Sequence, residues 1–252
     1  MNKSFLILFG ICLGAMALFW YSFFYKSQVP VDSNVLIVGT SADFKPMSFK
    51  EGDEITGFDI DVVKEVARRL NKTIELRDMP FELLIPQLQL GTLHMVAAGM
   101  TITDERAKRV FFTSPYLSND PLVILSLASN PVKLDDLGHK KIIVNQGYTA
   151  DIYLSKLPRI ALTRLPTVAD ALLSLQAHRA DAFVTARQTI MPILKQHGAD
   201  KYHMSTIPDT DENVALAISQ QHPQLAEEVH KEIAGMLEDG TIAALREKWH
   251  VL

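Results

Sequence analysis

The chain has 252 residues, of which 48% are hydrophobic and 21% charged, with a formal net charge of −4 at pH 7. This length and composition suffice for one large domain or for two smaller domains with hydrophobic cores. The mildly acidic balance argues against nucleic acid as a partner, and the scattered histidines and single cysteine, Cys12, exclude a disulfide and argue against a structural metal site.

The N-terminal segment is strongly hydrophobic, because no charged residue lies between Phe5 and Tyr25. Its length is enough to span a bilayer, but it also fits a cleaved export signal with small residues at 15–17. The apolar side chains that continue after Ala17 favour an uncleaved anchor. In either case we expect the rest of the chain to be exported, to the periplasm or the outer face of the cytoplasmic membrane.

Alternating strands and helices are predicted over the first part of the exported chain. Apolar side chains at three- and four-residue spacing after Gly57 are typical of a helix with one buried face. The predicted elements are a strand at 35–39, a loop at 40–49, a helix at 57–70, a strand at 74–76, a helix at 81–90 and a short strand at 95–98.

Residues 99–106 hold the first candidate site. Gly99 lets the backbone turn or lets a ligand approach it, and Thr103 is suited to cap a short helix. Arg106 falls in the first turn of that helix, where a cation gains nothing from the helix dipole. With the Thr101 hydroxyl and free amide groups it can seat a carboxylate. The alternative is a solvated arginine that pairs with Asp104 or with a distant acid, and this stretch alone leaves both open.

A second alternating set follows Pro115. The predicted strands lie at 121–127, 142–144, 161–165, 182–184 and 214–218, and the predicted helices at 150–156, 168–177, 188–196, 224–239 and 241–249. Strands that alternate with helices of this length indicate an α/β fold with a parallel sheet covered on both faces.

The ordered set of motifs resembles a known family. The chain is similar to the polar-amino-acid solute-binding proteins of ATP-driven importers, also known as bacterial extracellular solute-binding proteins of family 3. The resemblance runs from about Val35 to the C-terminus. Its carriers are the segments 38–40, 57–61, 84–88, 99–103, 115–116 and 248–249, together with Phe44, Pro46, Gly91, Arg106, Phe112, Gly240 and Leu245.

The resemblance implies a type II periplasmic-binding-protein fold, in which two α/β lobes are joined by two crossing strands. The first lobe would comprise residues 34–118 and 213–252, the second lobe residues 119–212, and residues 1–33 would be the signal or anchor with a tether. The ligand would lie in the cleft, which closes by hinge motion like a flytrap. The implied partners are a small amino acid and a membrane permease of the ABC type. We expect a monomer with no cofactor and no metal.

The resemblance also assigns site residues. Arg106 matches the arginine that takes the ligand carboxylate, and Thr101 matches a hydroxyl donor to the same group. The other matching positions are the main chain at Ala98 and Gly99, the aromatic walls Phe44 and Phe81, and the second-lobe contacts Thr149 and Asn145. Phe44 and Phe81 would otherwise be taken as ordinary core residues.

The chain departs from the family pattern where the amino group of a ligand would bind. Relatives commonly place an aspartate at the position of Ala186 to accept the α-ammonium group. Ser41 stands where relatives that bind basic side chains have an acid, and Asp43 is a candidate substitute. His94 replaces another common aspartate and is interpreted as structural. An unpaired buried charge costs several kcal/mol, so another acceptor is needed if the ligand carries an ammonium group.

Two other function classes remain open. The first is an enzyme of the same fold, such as a dehydratase similar to cyclohexadienyl dehydratase, with Asp43 as the general acid. The second is the sensor domain of a membrane receptor, which the N-terminal segment would suit. The end of the chain at Leu252 leaves no room for a signalling module and favours the binding protein.

Overall fold

A computed structural model describes residues 34–251 of the chain. The predicted signal or anchor at residues 1–33 lies outside the described residues. Along residues 34–251, no helix combines the length and apolar composition that a bilayer crossing requires.

Helices and strands alternate as the sequence predicts. The helices are α1 (Phe58–Arg69), α2 (Phe81–Gln89), α3 (Asp104–Ala107), α4 (Thr149–Leu154), α5 (Val168–Gln176), α6 (Arg187–His197), α7 (Pro223–Glu238) and α8 (Thr241–Trp249). The strands are β1 (Val35–Thr40), β2 (Asp43–Phe44), β3 (Ser48–Glu51), β4 (Glu54–Thr56), β5 (Thr73–Asp78), β6 (Met95–Val96), β7 (Phe111–Phe112), β8 (Leu117–Asp120), β9 (Leu122–Leu127), β10 (Ile142–Asn145), β11 (Leu162–Leu165), β12 (Ala182–Ala186), β13 (Tyr202–Thr206), β14 (Glu212–Val214) and β15 (Ala217–Ile218). Short 3₁₀ helices span Leu134–His139 and Ala199–Lys201.

The first lobe is built on a sheet with the strand order β5-β1-β6-β15-β7. β1 runs parallel to β5 and β6, as expected for strands joined through helices. The apolar stripe of α1 packs on one face together with α7 and α8, and α2 covers the other face. β15 lies antiparallel to β6 and β7. The prediction of a wholly parallel sheet is therefore wrong, because a strand from near the end of the chain enters this sheet in the opposite direction.

The second lobe is built on a sheet with the strand order β11-β10-β12-β9-β13. β10 is parallel to β11 and β12, whereas β9 is antiparallel to β12 and β13. α4 packs on one face, and α5 and α6 pack on the other. This sheet is also mixed, since β9 enters it directly from the crossing between the lobes rather than through a helix.

Two antiparallel strands cross between the lobes. β8 leads from the first sheet to the second, and β14 leads back, with Glu212 paired to Asp120 and Val214 paired to Leu117. The apolar strand predicted at 214–218 is interrupted and belongs to two strands, β14 and β15. The strand predicted at 121–127 corresponds to β9, which begins at Leu122. The paired crossing strands and the two covered sheets give the two-lobe α/β fold that the family resemblance implies.

Some elements have no clear signal in the sequence. The loop predicted at 40–49 contains β2 and β3, which form a small antiparallel sheet with β4. β13 was also not predicted, although it forms an edge of the second sheet. These strands are short or only partly apolar, so their pairing depends on contacts that hydrophobic periodicity does not report.

Candidate functional site

A cavity lies between the two lobes. Its volume is about 20 Å³ for the centre of a water molecule, which is room for about one ordered water. Phe44, Phe81, Gly99, Thr101 and Arg106 line it from the first lobe; Tyr148, Thr149, Ala150, Thr185, Ala186 and Thr189 line it from the second lobe; and Glu212 lines it from β14.

Arg106 is held in this cavity by its helix and by both lobes. Its backbone N–H donates to Oγ1 of Thr103 at 3.2 Å, which is the N-terminal cap predicted for α3. The guanidinium donates from Nη1 to the carbonyl of Thr101 at 2.8 Å and from Nη2 to the carbonyl of Gly147 at 2.9 Å. It lies over the ring of Phe81, with 5.3 Å between Cζ and the ring centroid. One side chain therefore spans the cleft.

The charge of Arg106 has no protein counter-ion in contact. The residue is only 2% exposed, and no carboxylate oxygen within residues 34–251 lies within 4.0 Å of its guanidinium. Burial lowers the pKa of Arg106 to about 10, so the group remains positively charged at neutral pH. The alternative of a solvated arginine paired with Asp104 is wrong. A buried cation without an anion is suited to receive an anionic ligand group.

Gly99 brings the backbone close to the aromatic wall. Its φ is +61°, and a Cβ atom there would lie 2.5 Å from Cε1 of Phe44. Asp59, in the Gly-Phe-Asp motif that opens α1, accepts a hydrogen bond from the Gly99 N–H. Asp59 is fully buried, and this burial raises its pKa to about 7. The motif therefore holds the Gly99 turn in place at the edge of the cavity.

Glu212 is a buried acid in the cavity that the sequence analysis missed. Its Oε2 accepts a hydrogen bond from the Thr101 hydroxyl at 2.8 Å, and Thr149 lines the same cavity from the second lobe. Burial raises the pKa of Glu212 to about 7. The Thr101 hydroxyl thus donates to Glu212 here, whereas the resemblance implies donation to a ligand carboxylate. The signal available in the sequence was a charged residue two positions before the apolar strand predicted at 214–218, at the predicted boundary between the lobes.

Tyr148 occupies the space between the two predicted aromatic walls. Its ring centroid lies 4.6 Å from that of Phe81 and 6.0 Å from that of Phe44. The ring is 8% exposed, and its hydroxyl oxygen is buried without a hydrogen-bond partner among the described residues. Tyr148 was not among the predicted site residues. The side chain nevertheless reduces the space that Phe44 and Phe81 would otherwise enclose.

Three predicted site residues do not line the cavity. Asp43 is exposed and accepts a hydrogen bond from Ser41 at 2.8 Å. Ala98 is buried in the core of the first lobe, and Asn145 is fully buried with its Nδ2 donating to the carbonyl of Leu165 at 3.3 Å. The other predicted residues, including Ala186 with its methyl group, come together around the cavity.

His94 has the structural surroundings expected of it. Its Nδ1 accepts a hydrogen bond from the Ile37 N–H at 3.1 Å, and its ring contacts that of His222. As for metal ligands, residues 34–251 contain no group of three or more His, Cys, Asp or Glu side chains placed to hold an ion.

Known proteins resemble the chain over most of its length. The model of the bacterial extracellular solute-binding proteins, family 3, matches residues 36–251. The arginine-binding extracellular protein ArtP of Bacillus subtilis is 30% identical over 219 residues, which cover 85% of each chain.

Two solved structures share the fold. An ancestral arginine-binding protein bound to arginine superimposes with a TM-score of 0.80 and is 32% identical, over 86% of this chain and 98% of that one. The ancestral amino acid-binding protein AncCDT-1, described as a precursor of cyclohexadienyl dehydratase, has a TM-score of 0.78 and 33% identity, over 86% of this chain and 95% of that one.

Proposed function

We propose, from the premise that this chain belongs to the bacterial extracellular solute-binding proteins of family 3, that it captures a small amino acid for an ABC importer. The lobes close over the ligand, and the closed form is presented to the membrane permease. The observation that carries this proposal is Arg106, a buried and unpaired cation in the cleft between the lobes. The relatives named for binding arginine support an amino acid as the ligand class.

In this proposal the carboxylate of the ligand binds the free N–H groups of Arg106. Gly99 offers its main chain beside it, and Thr149 approaches from the second lobe at the start of α4. The proposed lobes are residues 34–118 with 213–252, and residues 119–212, exchanging at β8 and β14. The protein acts as a monomer outside the cytoplasmic membrane, with residues 1–33 as its export signal or anchor.

We propose further that the ligand has a short side chain. Phe44 and Phe81 would sandwich a larger side chain, but the ring of Tyr148 lies against both. The Tyr148 ring therefore occupies the space between these walls that a guanidinium or carboxamide group would need. Alanine, serine or glycine requires the least displacement of Tyr148 when the cleft closes.

One observation favours an enzymatic alternative. Glu212 is a cavity-lining acid whose pKa of about 7 leaves it partly protonated at neutral pH, as a general acid requires. The resemblance to AncCDT-1 points the same way, because that protein is described as a dehydratase precursor. Against this alternative, the Thr101 hydroxyl donates to Glu212, and this hydrogen bond favours the ionised carboxylate over the proton-donating acid. We therefore favour a binding protein without catalytic activity.

Closure gives the first test. We expect a bound amino acid such as L-alanine to reduce the radius of gyration measured by small-angle X-ray scattering, since it links the lobes through Arg106 and Thr149. It should also raise the melting temperature, because a ligand at 100 times its Kd stabilises the folded form by about 2.7 kcal/mol. Scattering curves that superimpose, for a ligand whose binding calorimetry has demonstrated, would contradict the hinge.

A further inference from the structure

We propose that Glu212 accepts the α-ammonium group of the ligand and so replaces the aspartate that relatives carry at the position of Ala186. This inference rests on the proposed function, since it requires an amino acid in the cleft. It assigns the ligand class more narrowly, to a zwitterion rather than a simple carboxylate.

The geometry of Thr101 carries the inference. Its carbonyl accepts from Nη1 of Arg106 at 2.8 Å, and its hydroxyl donates to Oε2 of Glu212 at 2.8 Å. A single residue therefore holds one buried cation and one buried anion at the edge of the same cavity. Across residues 34–251, these two charged groups form no ion pair within 4.0 Å, either with each other or with another residue.

An α-amino acid carries the two opposite charges that these groups can bind. Its carboxylate and ammonium groups are attached to the same carbon atom, so a site for it needs a cation and an anion facing one short space. Arg106 supplies the cation and Glu212 the anion. The carboxylate of Glu212 has about four acceptor positions, and the hydroxyl of Thr101 uses one of them. Acceptor capacity therefore remains for an ammonium group.

The other acceptors considered for the ammonium group are less well placed. Ala186 presents only a methyl group to the cavity, and Asp43, an exposed residue of β2, does not line it. Of the described residues that line the cavity, Glu212 alone carries a carboxyl group. Its position on β14 also makes this contact sensitive to closure, because β14 is one of the two strands about which the lobes move.

Charged neighbours of Glu212 give the proposal a pH signature. Asp120 is paired with Glu212 across the crossing strands, and burial raises the pKa of Asp120 to about 6. The positive charge of Arg106 acts on Glu212 in the opposite sense, since it favours the ionised carboxylate. The pKa of Glu212 is about 7 without ligand. An ammonium group binds the ionised form, so the affinity for an amino acid should fall about tenfold for each pH unit below about 7.

Matched ligand pairs test the proposal by titration calorimetry at pH 8. The pairs are L-alanine with propionate, L-glutamine with glutaramate, and L-arginine with 5-guanidinopentanoate. Glu212→Gln should reduce the preference for the amino acid over its partner at least tenfold and should abolish the pH dependence between pH 6 and 8. Adding Ala186→Asp should restore the preference, because it returns a carboxylate to the family position. Glu105→Gln, an exposed charge near Arg106, is the matched control.

We expect that Glu212→Gln does not destabilise the fold, so a loss of binding in this variant can be attributed to the site. The raised pKa of Glu212 means that its ionised form destabilises the ligand-free protein, and that this cost grows as pH rises from the unfolded pKa of about 4.5 through 7. Glu212→Gln should therefore melt no lower than the parent protein at pH 8. An unchanged preference in Glu212→Gln, with the parent binding an amino acid, overturns this inference alone. Failure of the parent to bind any of the three amino acids overturns the proposed function together with it.

Discussion

Replacing Arg106 by lysine should weaken the binding of an L-amino acid at least tenfold, or about 1.4 kcal/mol. The guanidinium donates to the carbonyls of Thr101 and Gly147 through two different nitrogen atoms, and the residue lines the cavity. A lysine ammonium keeps the charge but loses the planar fork, so it cannot make these contacts and also bind a carboxylate in two positions. Titration calorimetry of both proteins measures the difference.

A second arginine provides the control for this substitution. Arg109 lies one helical turn further along the chain and pairs with Glu105 at 3.7 Å, with 41% of its side chain exposed. Arg109→Lys should bind with the affinity of the parent. If Arg106→Lys also binds as tightly as the parent, the carboxylate does not bind at Arg106.

Replacing Tyr148 by threonine should change which amino acids bind. The substitution removes the ring that lies 4.6 Å from Phe81 and 6.0 Å from Phe44, measured between centroids, and opens the space between these walls. We expect the affinities for L-glutamine and L-arginine to rise at least tenfold relative to L-alanine, because their side chains can then be buried between two aromatic rings. Calorimetry with these three amino acids gives the ratios.

In this interpretation, the ring of Tyr148 rather than its hydroxyl group determines which amino acids bind. Tyr148→Phe keeps the ring and removes only the buried, unpartnered oxygen, so it should retain the preference of the parent. A Tyr148→Thr variant with the same preference as the parent would mean that Tyr148 moves out of the cleft when a ligand binds, and that it does not limit the size of the side chain.

Local signals explain what could be predicted from the sequence. The cap of Thr103 on α3, the apolar stripe of α1 and the start of α8 at Thr241 all depend on residues a few positions apart. Arg106 could be singled out for a similar reason, since a cation in the first turn of a helix is unfavourable there without another role. The walls Phe44 and Phe81 needed the family resemblance, because the sequence alone does not distinguish a cleft phenylalanine from a core one.

Long-range contacts explain what could not be predicted. Thr101 and Glu212 are 111 residues apart, and they meet because β14 returns from the second lobe beside the Gly99 turn. The antiparallel entry of β15 into the first sheet has the same origin. Tyr148 meets Phe81 and Phe44 only when the lobes come together. The hydrophobic periodicity of the two segments that form each pairing gives no indication of it.

Titration calorimetry of the purified protein with the twenty common L-amino acids and their deaminated analogues, beside a turnover assay with a cyclohexadienyl carboxylate, tests the central claim most directly. We predict that at least one short-chain L-amino acid binds at one site per chain with a Kd in the micromolar range or lower, about −8 kcal/mol or more favourable. Its deaminated analogue should bind at least tenfold more weakly, and the carboxylate should not be consumed. Binding of no L-amino acid, or turnover of the cyclohexadienyl carboxylate, would contradict the assignment of this cleft to amino acid capture.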